Sequence, residues 1–362
     1  MNSYIKKYKL KDIVEESGRI SWVSPSNIAL IKYWGKHGNQ LPSNPSISFT
    51  LNDSKTTMDF SWSKKSTVDD SIVLDFYFEN KKNEPFAQKI LTFLERNIEL
   101  FPFFKTLSLE IESTNSFPHS AGIASSASSM SALALGLCTV ENEAYDLGMS
   151  ESEINDKASF VARLASGSAC RSVYGKVVSW GHSEHELINS TNETSSIVLE
   201  LDEIFSTYRD SILIVDSAVK PVSSRAGHAL MNNHPFKDVR FKNAKEQMMK
   251  LVDSMIKGDL ESFCKIVETE ALELHGLMMN SDPSFILMKP ATLSIIERIR
   301  SFRDSSKLPI CFTLDAGPNV HLLYPDNIKE EVMSFIKSDL LPFTQNDLVI
   351  HDFVGSGPER YL

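Results

Sequence analysis

Residues 118–130 read Pro118-His-Ser-Ala-Gly-Ile-Ala-Ser-Ser-Ala-Ser-Ser-Met130 and run directly into Ser131-Ala-Leu-Ala-Leu-Gly-Leu137. Six serines fall between Ser120 and Ser131, and bulky side chains are scarce. The stretch follows a predicted strand, Leu107 to Glu112. A strand, a Gly/Ala/Ser loop and then a helix let the backbone approach a ligand closely. The helix directs free N–H groups and the positive end of its dipole at an anion. Hydroxyls from Ser125, Ser126 and Ser128 add donors, or reach a metal carried by a nucleotide. No GxxxxGK[ST] is present, so this is not a Walker loop. The other reading is a helix of small residues packed tightly on a neighbour.

Outward from this loop, β-branched and aromatic runs predict strands at Ile20–Tyr33, Thr56–Trp62 and Ile72–Phe78. Phe86, Ile90, Phe93, Leu94 and Ile98 follow a helical rhythm behind Asn83 and Pro85. Ser150 and Glu153 form a capping box ahead of Ile154, Ala158, Val161 and Ala165. Further on, strands are predicted at Ile197–Leu201, Ser211–Val219, Ile310–Leu314, Val320–Tyr324 and Leu348–Val354. Helices are predicted near Asp238–Ile256, Asp259–Met279, Pro290–Phe302 and Asn327–Leu340. Strands and helices segregate without steady alternation, which favours α+β over a doubly wound sheet. The chain of 362 residues is comfortable for two domains. The polar stretch His182–Ser196 marks the boundary, dividing the chain into residues 1–195 and 196–362.

Three more segments concentrate polar residues of chemical interest. In Pro25-Ser-Asn-Ile-Ala-Leu-Ile-Lys-Tyr-Trp-Gly-Lys36, Lys32 interrupts a run that reads as a buried strand. A lysine entering a core is costly unless its charge is used, as on a phosphate or carboxylate. The alternative is a strand-end lysine with its ammonium in water. In Ala165-Ser-Gly-Ser-Ala-Cys-Arg-Ser-Val-Tyr-Gly175, small residues and hydroxyls surround Arg171, whose planar fork matches a carboxylate. It could equally satisfy local carbonyls. In Thr313-Leu-Asp-Ala-Gly-Pro-Asn319, Asp315 ends an apolar strand before a rigid turn. It is either a positioned base or ligand, or turn chemistry alone.

Composition narrows the classes. Hydrophobic residues make up 42% and charged residues 23%, ordinary globular values. The net charge of −10 argues against non-specific nucleic-acid binding but not against a small anion held by a local cation cluster. No apolar run approaches a membrane span, and the opening residues lack the apolar core of a signal peptide. The four cysteines are far apart and read as free buried thiols in a reducing cytoplasm. His182 and His185 lack a third clustered ligand and read as surface residues. His275 reads as a packed helix residue. Neither a Gly-x-Ser-x-Gly elbow nor a GxGxxG after a strand occurs.

Taken together, Asn27–Lys36, Gly122–Ser128, Ser166–Ser172 and Asp315–Asn319 resemble the diphosphomevalonate decarboxylases of the GHMP kinase superfamily. Leu41-Pro-Ser-Asn-Pro-Ser-Ile-Ser-Phe-Thr-Leu51 and Ser223-Ser-Arg-Ala-Gly227 are similar too. The serine loop is shared across the superfamily, whereas the segments around Lys32 and Arg171 belong to the decarboxylase branch. The resemblance implies an N-terminal, ATP-binding domain like ribosomal protein S5 domain 2 and a ferredoxin-like C-terminal domain. It implies an ATP and Mg2+ requirement, a cytoplasmic homodimer, and a place in isoprenoid biosynthesis. The implied reaction is ATP-dependent decarboxylation of mevalonate 5-diphosphate.

The same resemblance implies roles for individual residues. Asp315 orients the 3-hydroxyl, Lys32 neutralises phosphate charge, and Arg171 grips the carboxylate with Ser168 beside it. Tyr33, Lys36 and Ser166 hold the diphosphate, and Asn27 and Ser223 join the substrate site. Gly122, Ala124, Ser125, Ser126 and Ser128 take the ATP phosphates. Trp62 and Lys64 are candidates for contact with adenine. Two departures stand out: Pro45 replaces a serine common in the family, and Val68–Asn80 lacks the family's hairpin arginine. The missing arginine makes a 5-monophosphate decarboxylase one alternative; a kinase that stops after phosphorylating a small hydroxy acid and a non-catalytic binding module on the same fold are the others.

Overall fold

The computed structural model describes residues 2–117, 125–218 and 224–361. β1 (Ser17–Ile31) runs antiparallel to β4 (Ser46–Lys64), from Ser17↔Ser63 to Ile31↔Ile47. The short hairpin of β2 (Lys36–His37) and β3 (Leu41–Pro42) lies between them in sequence and outside their sheet. From Ser54 to Trp62, β4 alternates buried and half-buried residues, so Met58, Phe60 and Trp62 face the core. β5 (Leu74–Phe78) and β6 (Lys81–Lys82) lead into α1 (Glu84–Arg96), whose first turn is capped by Asn83. β7 (Leu107–Asn115) pairs antiparallel with β4 and parallel with β5.

α2 (Ser125–Ala144) lies on β1 and β4 and is buried on almost every side. Its small residues set that closeness. A Cβ on Gly136 would stand 2.1 Å from the Phe60 ring. Ser131 accepts from Ser24 at 2.8 Å, and Ser128 is 2.7 Å from the Thr56 hydroxyl. The tight-packing reading is thus true of the helix itself. α3 (Glu151–Ala165) packs on α2 and starts with the expected capping box. A buried Lys157–Glu141 pair at 2.5 Å, joined by Tyr8, ties the two helices together. β8 (Val177–Trp180) pairs with the inner end of β4, and β9 (Ser195–Ile197) pairs with β8. β9 is shorter than the Ile197–Leu201 strand read from sequence, because Leu199 is exposed and Glu200 turns the backbone at φ 61°.

The second half builds a four-stranded antiparallel sheet. It contains β10 (Arg209–Leu213), then, after the helices α4 (Ser224–Leu230), α5 (Lys237–Lys257), α6 (Leu260–Met279) and α7 (Pro290–Ser306), β11 (Cys311–Leu314) and β12 (Val320–Tyr324). α8 (Lys329–Phe335) and β13 (Val349–Phe353) complete it, in the order β11-β12-β10-β13. β10 stops at Leu213, short of the predicted Val219, because Asn319 takes the N–H groups of Val215 and Asp216. The last strand, β14 (Glu359–Tyr361), returns to β1 of the first sheet and has no counterpart in the sequence reading.

One apolar cluster crosses between the halves, joining Ile28, Leu30 and Phe49 to Met248, Phe263 and Cys311. All four cysteines are free and buried, as expected. Among the described residues, no helix is long and apolar enough to cross a membrane. Asp352 on β13 reinforces the junction. Its carboxylate accepts the N–H groups of Asn52 and Asp53 at 2.8 and 2.9 Å, and that of Ser54 at 2.8 Å, where β4 bulges. Asp352→Ala should lower the unfolding free energy by about 2 kcal/mol, from the N–H groups left unpaired, as read by urea titration. Asp352→Asn, which keeps one acceptor oxygen, should lose less.

Candidate active site

Lys32, Arg171 and Asp315 line one cavity of about 250 Å³. Each stands where a regular element ends. Lys32 follows β1, Arg171 lies in the tight turn Gly167–Val173 behind α3, and Asp315 follows β11. The Lys32 ammonium donates to an Asp315 carboxylate oxygen at 3.2 Å and to the Ala29 carbonyl at 2.6 Å. The lysine side chain is 2% exposed and that of the aspartate 32%, so the carboxylate forms the accessible lip of the pair. Burial pulls the lysine below its ordinary value. Asp315 and then Glu270 oppose that shift, and Arg171 adds to it.

Arg171 is equally buried, yet its neighbours at hydrogen-bond distance are neutral. It donates to Ser46 at 2.6 Å, Ser48 at 3.0 Å and Asn27 at 3.3 Å. Asn27 is fixed in turn by Ser172 and by the Ser168 carbonyl. Among the described residues no carboxylate forms a salt bridge with Arg171. A buried guanidinium held by hydroxyls and an amide, with Asp315 acting on it only through space, can receive an incoming anion.

α6 supports both members of the Lys32–Asp315 pair. Glu270 accepts the Lys32 backbone N–H at 3.0 Å and both terminal nitrogens of Arg240, at 2.6 and 2.7 Å. The Lys32 carbonyl accepts from Arg240 and from Asn44. On the same helix, His275 hydrogen-bonds the Asp315 carbonyl at 3.0 Å, which fits the packed histidine read from sequence. Glu270 and Arg240 carried no signal beyond helical periodicity. Only their burial in the folded chain singles them out.

Tyr33, Lys36, Ser166 and Ser168 also line this cavity. The Tyr33 hydroxyl is buried without a hydrogen-bond partner among the described residues, and Lys36 donates to Gln40 at 2.8 Å. His228, which the sequence did not single out, joins the wall beside them.

A second cavity of about 750 Å³ shares Lys36, Gln40, Ser126, Ala165 and Ser166 with the first. Its far side is formed by α1, with Phe86, Lys89, Phe93 and Arg96. Of the serine-loop candidates, Ser126 lines both cavities and Ser125 lines neither. Ser128 points away from both, since its hydroxyl is spent on Thr56 and the Ser125 carbonyl. Gly122, Ala124 and Ser223 lie outside the described residues. Trp62 and Lys64 line neither cavity. Trp62 is buried with its indole N–H on the Glu15 carbonyl, and Lys64 pairs with Glu16. The surface reading holds for His182 but not for His185. His185 is buried, takes the Leu187 N–H, and sits 3.4 Å from Asp253.

Residues 24–196 match the family of diphosphomevalonate decarboxylase-like N-terminal domains. Residues 211–357 match the mevalonate 5-diphosphate decarboxylase C-terminal domain. Diphosphomevalonate decarboxylase of Schizosaccharomyces pombe is 30% identical over 329 residues, covering 86% of this chain and 80% of that one. The crystal structure of mevalonate diphosphate decarboxylase from Staphylococcus aureus superposes with a TM-score of 0.80 at 27% identity, covering 96% and 98% of the two chains. A solved structure of MDDEF in complex with MVAPP, AMPPCP and magnesium gives a TM-score of 0.79 at 27% identity, over 95% and 99%.

The support beneath the site is exposed to a direct test. Glu270→Ala would leave Arg240 buried with Glu273 alone and remove the acceptor of the Lys32 amide. The change should cost about 3–5 kcal/mol of stability in chemical denaturation, as for other buried pairs that lose one partner.

Proposed function

The chain belongs to the diphosphomevalonate decarboxylase family, and on that premise we propose that it is an ATP-dependent carboxy-lyase converting mevalonate 5-diphosphate to isopentenyl diphosphate. ADP, phosphate and carbon dioxide are the other products. The observation that carries this reading is the meeting of Lys32, Arg171 and Asp315 in one cavity that shares a wall, at Ser126 and Ser166, with a nucleotide-sized neighbour.

The chemistry follows from the groups present. The substrate's tertiary 3-hydroxyl is a poor leaving group, so it is first turned into a phosphate ester. Asp315 orients that hydroxyl and accepts its proton as the oxygen attacks the terminal phosphorus of ATP. Lys32, held 3.2 Å from Asp315, offsets negative charge during transfer. The C3–O bond then breaks with its electron pair on the departing phosphate. The bond from C2 to the carboxylate carbon also breaks, and its pair forms the C2–C3 alkene as carbon dioxide leaves. Arg171 and Ser168 fix the carboxylate so that the breaking bond stays aligned. Asn27 orients Arg171. Tyr33, Lys36 and Ser166 hold the diphosphate, and Ser223 belongs to the same substrate site.

ATP occupies the larger cavity with its phosphates toward Ser126 and the start of α2, and Gly122, Ala124 and Ser125 belong to the same sequence motif. Among the described residues, no group of three His, Cys, Asp or Glu could cage a metal. A Mg2+ carried in on the nucleotide would offset phosphate charge there. In this reading residues 1–195 form the ATP-binding unit and residues 196–362 contribute Asp315 and its α6 support. The enzyme is a cytoplasmic homodimer, a state that light scattering on the purified protein reads directly.

The missing arginine in Val68–Asn80 favours one second reading, decarboxylation of the 5-monophosphate. Purified protein with ATP, Mg2+ and mevalonate 5-diphosphate should release ADP, phosphate and carbon dioxide in equal amounts. A preference for the monophosphate would transfer the assignment, and ADP without carbon dioxide would make the protein a kinase. Asp315→Asn should lower kcat by about 10²–10⁴-fold with nucleotide binding intact. Near-normal turnover would refute its role.

The pH profile has a definite sign. Lys32 loses its proton earlier than an ordinary lysine, so the alkaline limb of kcat/KM should lie below about 10.4. Lys32→Arg, if it retains activity, should move that limb upward.

A further inference from the structure

We propose that His228 is a further substrate-binding residue, whose Nε2–H donates to a phosphoryl oxygen of the substrate beside the Tyr33 hydroxyl and Lys36. The inference deepens the decarboxylase reading and rests on it for the identity of the phosphorylated acid.

The geometry fixes the imidazole's chemistry. Its Nδ1 lies 3.1 Å from the Gly35 backbone nitrogen. A backbone N–H can only donate, so Nδ1 is the acceptor and the neutral ring carries its proton on Nε2. Gly35 is itself constrained. It sits at φ 97°, and a Cβ there would come within 2.8 Å of the Phe241 ring, so its N–H direction is set by the fold. The imidazole is packed against Tyr33, with ring centroids 4.2 Å apart, and against Trp34 at 5.0 Å. Burial and, after it, the Lys36 charge push it down to about 3, so the ring is neutral in the empty site near pH 7.

His228 lines the cavity, and its Nε2–H makes no hydrogen bond to any described residue. Tyr33 on the same wall has a buried, unpartnered hydroxyl, and Gly167 lets it approach, since a Cβ there would stand 2.8 Å from that oxygen. Two donors without an acceptor among the described residues, beside an ammonium, suit a ligand atom that accepts several hydrogen bonds and carries negative charge. A phosphoryl oxygen meets that description. A neutral imidazole adds directional recognition there without raising the positive charge around Lys36. It also supplies a contact to the phosphate end in a chain whose Val68–Asn80 hairpin has no arginine.

Two conservative variants separate binding from structure. In His228→Asn the side-chain oxygen can replace Nδ1 as the Gly35 acceptor, but the distal donor is gone. In His228→Gln the amide N–H₂ can reach the Nε2 position, but Gly35 loses its acceptor. Inorganic diphosphate, titrated calorimetrically against the full-length protein, is the probe. His228→Asn should weaken its Kd, and raise the KM for mevalonate 5-diphosphate, by about tenfold, with kcat within about twofold and Tm near that of the parent. His228→Gln should bind diphosphate within about threefold of the parent yet melt at lower temperature. A purely structural histidine would move affinity and Tm together.

Parent-like affinity in His228→Asn, equal weakening in both variants, or no binding of diphosphate by the parent would each overturn the proposal. A parent protein that shows the diphosphate difference but releases no carbon dioxide would overturn the decarboxylase reading and support the His228 assignment.

Discussion

The Lys32 ammonium is taken almost wholly out of water, and Asp315, 283 residues away in sequence, is the carboxylate that meets it. Desolvating an ammonium is expensive unless an anion and good hydrogen-bond geometry offset the cost. Much of the molecule serves that condition. Glu270 and Arg240 hold the Lys32 backbone, His275 holds the Asp315 carbonyl, and the shared apolar cluster and the Asp352 clamp keep the two halves in register. Catalytic placement and junction stability are therefore the same problem here. A change that lets the halves slip separates the pair and leaves a buried charge without its partner.

The rest of the cavity is under-satisfied. Arg171 has hydroxyls and an amide around it where a carboxylate would be the natural partner. Among the described residues the Tyr33 hydroxyl has no partner, and the His228 nitrogen turned from Gly35 has no acceptor. Native interiors seldom leave such groups unsatisfied, so their concentration in one small space fits the proposed binding of an acid with several negative oxygens. Charge on that acid completes interactions that the protein alone leaves open, and positioning is prepared before it arrives.

α2 shows one set of small residues meeting two demands. Gly136, Ser131 and Ser128 bring the helix close to β1 and β4, where Cβ or larger groups would collide with Phe60 or displace paired hydroxyls. Ser126, at the helix start, lines both cavities instead. The helix is anchored by its small residues so that its first turn presents a fixed surface to solvent.

The amino-acid sequence alone determined the α+β character, most strands and helices, the capping box of α3, and the polar segments around Lys32, Arg171 and Asp315. All of these are carried by local periodicity or by short runs of neighbouring residues. Other features were decided only in three dimensions. They include the contact of Asp315 with Lys32, the loss of Ser128 to the core, the wall that α1 gives the larger cavity, the burial of His185, and the return of β14 to β1. His228 belongs with them, for the Ser223–Gly227 segment stops one residue short of it, and only the Gly35 contact shows which ring nitrogen is taken. The reason is physical. Periodicity tells which side of an element avoids water, but which hydroxyl is consumed and which donor is left over depends on partners that strand pairing and helix packing bring from hundreds of residues away.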